Sequence, residues 1–476
     1  MELKNCIAPL LSAEIFTIPL DGERYLIYAP LRRAAFIGNA QTVNFLANIK
    51  DGFYDVVADP DGSLVEFLRR LEILDAGHET LPVERNTGLP EPCSLTLFLT
   101  TACNMRCSYC YASAGDTPKK NMPLHVAKHG IDFIITNAVR NHKTTIGLDF
   151  HGGGEPTMNW RTLTGSLAYA REKCSEVGLK VVSHCATNGL LSDRQVEWII
   201  SNLQGASVSF DGLPEVHDAF RKTAMGKGTS ARVIRTLKKF DDAGFEYGIR
   251  LTVTAAQIPT MADSIKFVCE NFRAKRIQIE PAYQMGRWKD APSAETQGFV
   301  TGFRASQKHA REHSRTVFFS AARAGTLTNH FCAASRDSFT LSTDGAVSSC
   351  FEAFSEQLPL ADIFFYGKPS DDPSGGYLFD MERLENLRNM SVDRRAFCKG
   401  CFAKWSCAGD CHYKTYILNG SGAFAGTDRC HITRELTIDQ LLMFITDAGG
   451  LFWHEIPPGI EVKPENIKNN IIKYSL

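Results

Sequence analysis

The chain has 476 residues, 44% of them hydrophobic and 22% charged, with a formal net charge of −1. That length fits roughly two to four domains with a substantial core, and the composition excludes wholesale disorder. The near-zero charge gives no basic footprint for nucleic acid as a partner.

Met1 to Phe16 scatters acidic and polar residues where a secretory signal would place basic and then apolar ones. No run approaches the roughly eighteen apolar residues of a membrane span. The sequence therefore reads as soluble and cytoplasmic, with no membrane partner. In a reducing compartment fifteen cysteines, an odd number, point to metal ligands rather than to a disulfide framework.

Residues 1–92 open with short alternating runs, Arg24-Tyr25-Leu26-Ile27-Tyr28 and Ala34-Ala35-Phe36-Ile37, followed by helical spacing at Thr42-Val43-Asn44-Phe45-Leu46 and across 64–71. This is a strand-strand-helix-helix module, too small to be a catalytic body. Over 93–285 strand-like runs at 95–99, 146–150, 181–186, 206–210, 247–253 and 276–279 alternate with amphipathic helical stretches. Six such units predict an α/β fold, a partial (β/α)6 TIM barrel with a parallel sheet and its chemistry at the strand C-termini. A bridging region fills 286–330, an irregular segment rich in Cys, Gly and Asp fills 331–440, and a C-terminal extension covers 441–476. Little periodicity survives in the irregular segment, and metal clusters can hold such a chain where a small core cannot.

Directly after the first barrel strand stands Thr101-Ala102-Cys103-Asn104-Met105-Arg106-Cys107-Ser108-Tyr109-Cys110-Tyr111. Three thiolates at this spacing can hold one 4Fe-4S cube and leave its fourth iron open to a chelating cosubstrate. A three-cysteine zinc site is the alternative. Later strands end in Phe150-His151-Gly152-Gly153-Gly154-Glu155-Pro156, Thr187-Asn188-Gly189, Ser207-Val208-Ser209-Phe210-Asp211-Gly212 and Ile277-Gln278-Ile279-Glu280-Pro281. A second series follows: Cys332, Gly345, Cys350, Cys398, Cys401, Cys407, Cys411 and Cys430. Zinc knuckles are its alternative reading, since thiolate quartets suit zinc as well. Cys6, Cys93, Cys174, Cys185 and Cys269 lack such spacing and read as small buried hydrophobes.

The triplet, with Tyr109 before its last cysteine, resembles the signature of the radical S-adenosylmethionine (SAM) superfamily, and the 332–430 series is similar to the SPASM domain. The resemblance implies that Cys103, Cys107 and Cys110 hold a 4Fe-4S cluster whose open iron chelates SAM, and that SAM cleavage yields a 5′-deoxyadenosyl radical. It also implies two auxiliary 4Fe-4S clusters, three clusters in all. Cys398, Cys401, Cys407 and Cys430 match one, and Cys332, Cys350 and Cys411 match the other, which lacks the extra thiolate of several relatives. Candidate SAM-contacting residues are Tyr109, Gly153, Gly154, Glu155, Asn188, Ser209 and Arg221, although Arg221 and Arg250 read equally well as barrel-rim charges. The glycines of the 152–154 turn are expected to let backbone approach the methionine end of SAM. Glu280 either faces substrate or caps a loop.

Residues 15–80 resemble the RiPP recognition element, a winged-helix-like domain that adds a leader peptide as a strand to an unpaired sheet edge. A module that only braces the barrel is the alternative. The whole resemblance implies a maturase that forms a thioether or carbon–carbon crosslink in a ribosomally made peptide. Its partners would be a precursor peptide or protein with a leader and an external one-electron reductant such as flavodoxin or ferredoxin. A sulfatase-maturase-like dehydrogenase that makes formylglycine is the second reading; that subfamily has an aspartate base directly after the cysteine aligned with Cys350, where this chain has Phe351 and then Glu352. Were that segment extended, Glu352 would face away from Phe351. A non-catalytic iron–sulfur scaffold is the third reading, opposed by the intact SAM-type turns. No catalytic side chain is singled out.

Overall fold

The computed structural model describes residues 10–53, 62–75, 77–371, 376–420 and 424–455. Cys6 and residues 456–476 of the expected extension lie outside them. The six barrel strands form within a residue or two of their expected positions: β4 (Ser94–Phe98), β5 (Thr145–His151), β6 (Lys180–Thr187), β7 (Gly205–Ser209), β8 (Tyr247–Val253) and β9 (Arg276–Pro281). They precede or follow β1 (Phe16–Pro19), β2 (Arg24–Ala29), β3 (Ala34–Asn39), β10 (Thr316–Phe318), β11 (Thr340–Leu341), β12 (Val347–Ser348), β13 (Phe365–Pro369), β14 (Tyr377–Phe379) and β15 (Phe452–His454). In β8, Ile249, Leu251 and Val253 are buried while Gly248, Arg250 and Thr252 alternate with them, so one face of the strand enters the apolar core and the other carries polar groups.

Strands β4 to β9 pair in sequence order, all parallel, with amphipathic helices such as Leu124–Arg140, Trp160–Glu176 and Ser230–Asp242 in the connections. Two features extend the expected six units. The bridging region contributes β10, parallel to β9, and the cysteine-rich segment contributes β11, parallel to β4 on its other side. Because β11 takes the edge of β4 that ring closure would need, the barrel stays open, and β11 to β14 continue the same sheet as an antiparallel meander.

The N-terminal module has three strands before its helices Ala40–Lys50 and Ser63–Arg70 rather than two. Its sheet runs β1-β2-β3-β15, so a strand from beyond residue 441 completes it. Phe452, Trp453 and His454 pair antiparallel with Phe36, Ala35 and Ala34. The Phe452 ring packs edge-on against Phe67 at 5.7 Å, and Trp453 lies 5.0 Å from Phe444. A single helix, Asp428–Asp447, crosses the boundary expected at 440. Its Leu441 and Ile445 bury Leu26, Tyr28 and Ala35 of the N-terminal sheet, so apolar contact joins the two ends of the chain.

Candidate active site

The loop after β4 carries the first cysteine triplet and is held by backbone contacts from across the barrel mouth. Arg106 and Ser108 donate their amides to the Lys222 and Phe220 carbonyls at 2.7 and 3.0 Å. Two guanidinium groups gather the loop's own carbonyls: Arg106 those of Cys103, Met105 and Gly115, and Arg287 those of Cys107 and Ala114, with Asp116 as its ion partner. Arg287 sits in the bridging region, and sequence reading gave it no role because nothing local marks its distant partners.

The turn after β5 packs against this loop. Glu155 donates its amide to the Ala102 carbonyl at 2.8 Å, and a Cβ on Gly154 would fall 2.2 Å from that same oxygen. A Cβ on Gly152, at φ +87°, would enter the Phe98 ring. Gly152 and Gly154 are thus required by the protein's own backbone and core. Gly153, at φ +34°, faces Phe354.

Glu155 is buried, and its carboxylate is fully engaged. One oxygen accepts from the Thr157 and Thr187 hydroxyls at 2.8 and 2.9 Å, and the other accepts from the Asn188 amide at 2.7 Å. It ties the ends of β5 and β6 together rather than projecting outward, and burial pushes its carboxyl up against the pull of those donors. The Asn188 side chain in turn donates to Cys103 Sγ at 3.6 Å and to Asn104 Oδ1 at 2.7 Å. Tyr109 donates its hydroxyl to Asp211, and its ring stacks on Phe220 at 5.9 Å. Arg221 forks onto Asp211 at 2.9 and 3.2 Å and also faces the Cys107 thiol. Its charge is therefore already compensated, and Asp211, quoted in the fourth strand's turn but given no role of its own, is the anchor for both Tyr109 and Arg221. The Ser209 hydroxyl is part-buried and has no hydrogen-bond partner among the described residues.

The ten motif cysteines fall into three groups of mutually interacting thiols, all free among the described residues. Cys103 feels Cys107 and Cys110; Cys350 feels Cys411 and Cys332; Cys407 feels Cys430, Cys401 and Cys398. Burial pushes Cys103 and Cys411 up to about 12 and Cys398 to about 11. The last group lines a small cavity of about 30 Å³. Among the described residues no three Cys, His, Asp or Glu side chains converge where one metal ion would sit. A cube asks for something different, since each thiolate binds a different iron. The donors fit that group: the sets are all sulfur, the acids nearest the triplet are engaged elsewhere, and the Asn188 amide points at the Cys103 sulfur.

A second cavity, of about 220 Å³, lies between Tyr111, next to Cys110, and the thiols of Cys332, Cys350 and Cys411. His151, Arg250, Phe351, Glu352 and Lys414 also line it. The chain after β12 is not a strand, so Phe351 and Glu352 reach the same cavity instead of facing opposite ways. Phe351 stacks on His151 at 4.9 Å, and Glu352 pairs with Lys414 at 3.5 Å. Glu280 does not face this space freely: it is 3% exposed and accepts from Gln278, the Ser320 amide and Arg429. Arg429 also forks onto Asp410 at 2.5 and 2.9 Å, which links the last barrel strand to residues flanking Cys411 and Cys430. No helix among the described residues is long and apolar enough to cross a membrane.

Comparison with known proteins agrees with this geometry. The chain is 31% identical over 174 residues to Fe-coproporphyrin III synthase of Methanosarcina barkeri, a match that spans 35% of this chain and only 39% of that protein. It is 26% identical over 342 residues to the mycofactocin maturase MftC of Mycolicibacterium smegmatis, covering 68% and 79% of the two chains. The solved structure of anSMEcpe with bound AdoMet shares the fold, with a TM-score of 0.61 at 19% identity over 76% of this chain and 96% of that one. Residues 97–262 match the family model of the Radical SAM superfamily, and the chain therefore carries a radical SAM domain.

Proposed function

We propose that the protein is a radical SAM/SPASM maturase that oxidises a residue of a ribosomally made peptide in the cytoplasm, using three 4Fe-4S clusters and an external one-electron reductant of the flavodoxin or ferredoxin kind. The observation that carries this reading is the 220 Å³ cavity with the triplet loop on one side and the Cys332, Cys350 and Cys411 thiols on the other. A substrate residue placed there has a hydrogen-abstracting site and an electron-accepting site within reach. Cys103, Cys107 and Cys110 would hold the SAM-binding cluster, which when loaded supplies a 5′-deoxyadenosyl radical. The protein's own groups do the rest. Asn188 and Arg221 place donors beside the Cys103 and Cys107 sulfurs, Glu155 fixes the turn that carries Asn188, and the His151 and Phe351 rings wall the cavity from the barrel interior. For leader recognition, β15 occupies the edge of β3, which among the described residues leaves the outer edge of β1 for an added strand.

A formylglycine product is the second reading, and one observation favours it. Glu352 reaches the cavity with one carboxylate oxygen unpaired, where a base for a Cys or Ser substrate would stand. Two measurements test the proposal. Anaerobically reconstituted protein should hold about twelve irons per chain; about four, with tightly bound zinc, would overturn the SPASM assignment. Mass spectrometry of the peptide encoded beside this gene should show loss of two hydrogens after turnover, with fragmentation suppressed between two residues for a crosslink. A hydrazide-reactive aldehyde would select formylglycine instead.

A further inference from the structure

The 220 Å³ cavity contains more uncommitted polarity than packing explains. Three side-chain atoms that are buried without a hydrogen-bond partner belong to residues lining it: His151 Nδ1, Ser349 Oγ and Glu352 Oε2. Leaving such an atom unpaired is costly, and native proteins keep few of them. All three residues line one space, which gives its wall more polarity than the protein's own hydrogen bonds satisfy.

Arg250 adds a charge to the same wall. Its guanidinium has no hydrogen bond and no ion pair with the described residues. The other cations nearby are engaged: Lys414 lies 3.5 Å from Glu352 and 4.0 Å from the Tyr283 ring centre, and Arg429 is held by Asp410 and Glu280. Strand register sets Arg250 between Ser209 and Gln278, on the polar face of β8. The cavity it lines includes Cys332, Cys350 and Cys411 but none of Cys103, Cys107 and Cys110. An anion bound here thus lies beside the Cys332, Cys350 and Cys411 thiols, and Tyr111 is the one residue of the triplet loop that borders it.

We propose that Arg250 is the receptor for a carboxylate of the modified peptide, with Glu352 and Ser349 taking the polar groups next to it. A guanidinium presents a planar fork that matches a carboxylate with two parallel hydrogen bonds, and a half-enclosed wall strengthens the contact. This assignment rests on the peptide reading above. The carboxylate belongs either to an Asp or Glu side chain or to the C-terminus of the peptide.

The test uses the full chain, anaerobically reconstituted and saturated with SAM, immobilised and exposed to two random pools of N-acetylated peptides, one C-amidated and one with free C-termini. Retained peptides are sequenced by mass spectrometry for the natural chain, Arg250→Gln and Arg250→Lys, and SAM affinity is measured in parallel. Acidic peptides should be enriched about tenfold over their amide counterparts, Arg250→Gln should reduce this to parity, Arg250→Lys should keep part of it, and SAM affinity should hold within about twofold. Enrichment in the amidated pool assigns a side-chain carboxylate; enrichment confined to the free-acid pool assigns the terminus. Peptides retained without acid preference, or a preference that survives Arg250→Gln, overturn the receptor and leave the peptide reading standing. A roughly tenfold loss of SAM affinity in Arg250→Gln would assign the residue to SAM's carboxylate and also overturn it. Retention of no peptide from either pool counts against the peptide reading itself.

Discussion

Over residues 94–281 the chain buries strand after strand of Leu, Ile, Val and Phe beneath amphipathic helices, whereas over 332–447 two-residue strands and four-residue helices intervene between a few longer elements, with buried charges and thiols among them. In the first region many apolar contacts share the stabilisation, and no single side chain decides the fold. In the second, residues such as Phe339, Leu341, Val347 and Tyr366 join that same core, and buried charges add links across it: Arg429 alone touches the last barrel strand, Ser320 and the residue before Cys411. A repetitive core tolerates loss. A buried ion pair that loses one partner does not.

The comparison breaks most visibly at the cysteines. Changing Cys103, Cys107 and Cys110 together to Ala should leave about eight irons and abolish formation of 5′-deoxyadenosine, while the barrel keeps its helical circular dichroism. Retained SAM cleavage would place the active cluster elsewhere. Next comes Arg429→Ala, which strands Glu280 and Asp410 as buried carboxylates and should cost about 3–5 kcal/mol, read from urea unfolding. An unchanged midpoint would show that the second region does not depend on its buried charges.

The barrel's own weak point is acid. His217 is 0% exposed, accepts from the Asp211 amide at 3.3 Å and contacts Thr229 at 3.0 Å through its other nitrogen. Burial holds it down at about 4, from an ordinary 6.5. A depressed histidine contributes stability above its unfolded value and loses it as the pH falls from about 6.5 towards 4, for a total of about 3 kcal/mol. The urea midpoint should therefore drop between pH 7 and 4.5 by more in the natural chain than in His217→Gln. The smallest effect expected is for Glu155→Gln, which places amide hydrogens against existing donors and should cost about 1–3 kcal/mol without altering cluster content, as thermal unfolding and iron analysis would show.

This division also explains what could be read in advance. The six barrel strands and the turns at their ends were legible because period-two burial and clustered Gly, Asn and Cys repeat locally. β10, β11 and β12, at two or three residues each, carry no period to detect. Arg221 stands in a recognisable stretch, yet its partner Asp211 decides where its charge goes, and only folding reveals that pairing. Glu155 stands in a recognisable turn, yet its partners Thr187 and Asn188 come from the next strand's end, which no local signal marks. Glu352 was set against Phe351 on the assumption of a strand, and the irregular chain after Ser348 brings both into one cavity.

The pairing of Phe36 with Phe452 has a kinetic consequence. Formed first, it would close a loop of roughly 400 residues at an entropic cost of about 5 kcal/mol. With the barrel folded and the helix Asp428–Asp447 docked against Leu26 and Tyr28, residues 448–451 are all that remain to be spanned. The fourth strand of the N-terminal sheet is therefore added late, and on the ribosome the module waits with one edge open until residues 452–454 emerge.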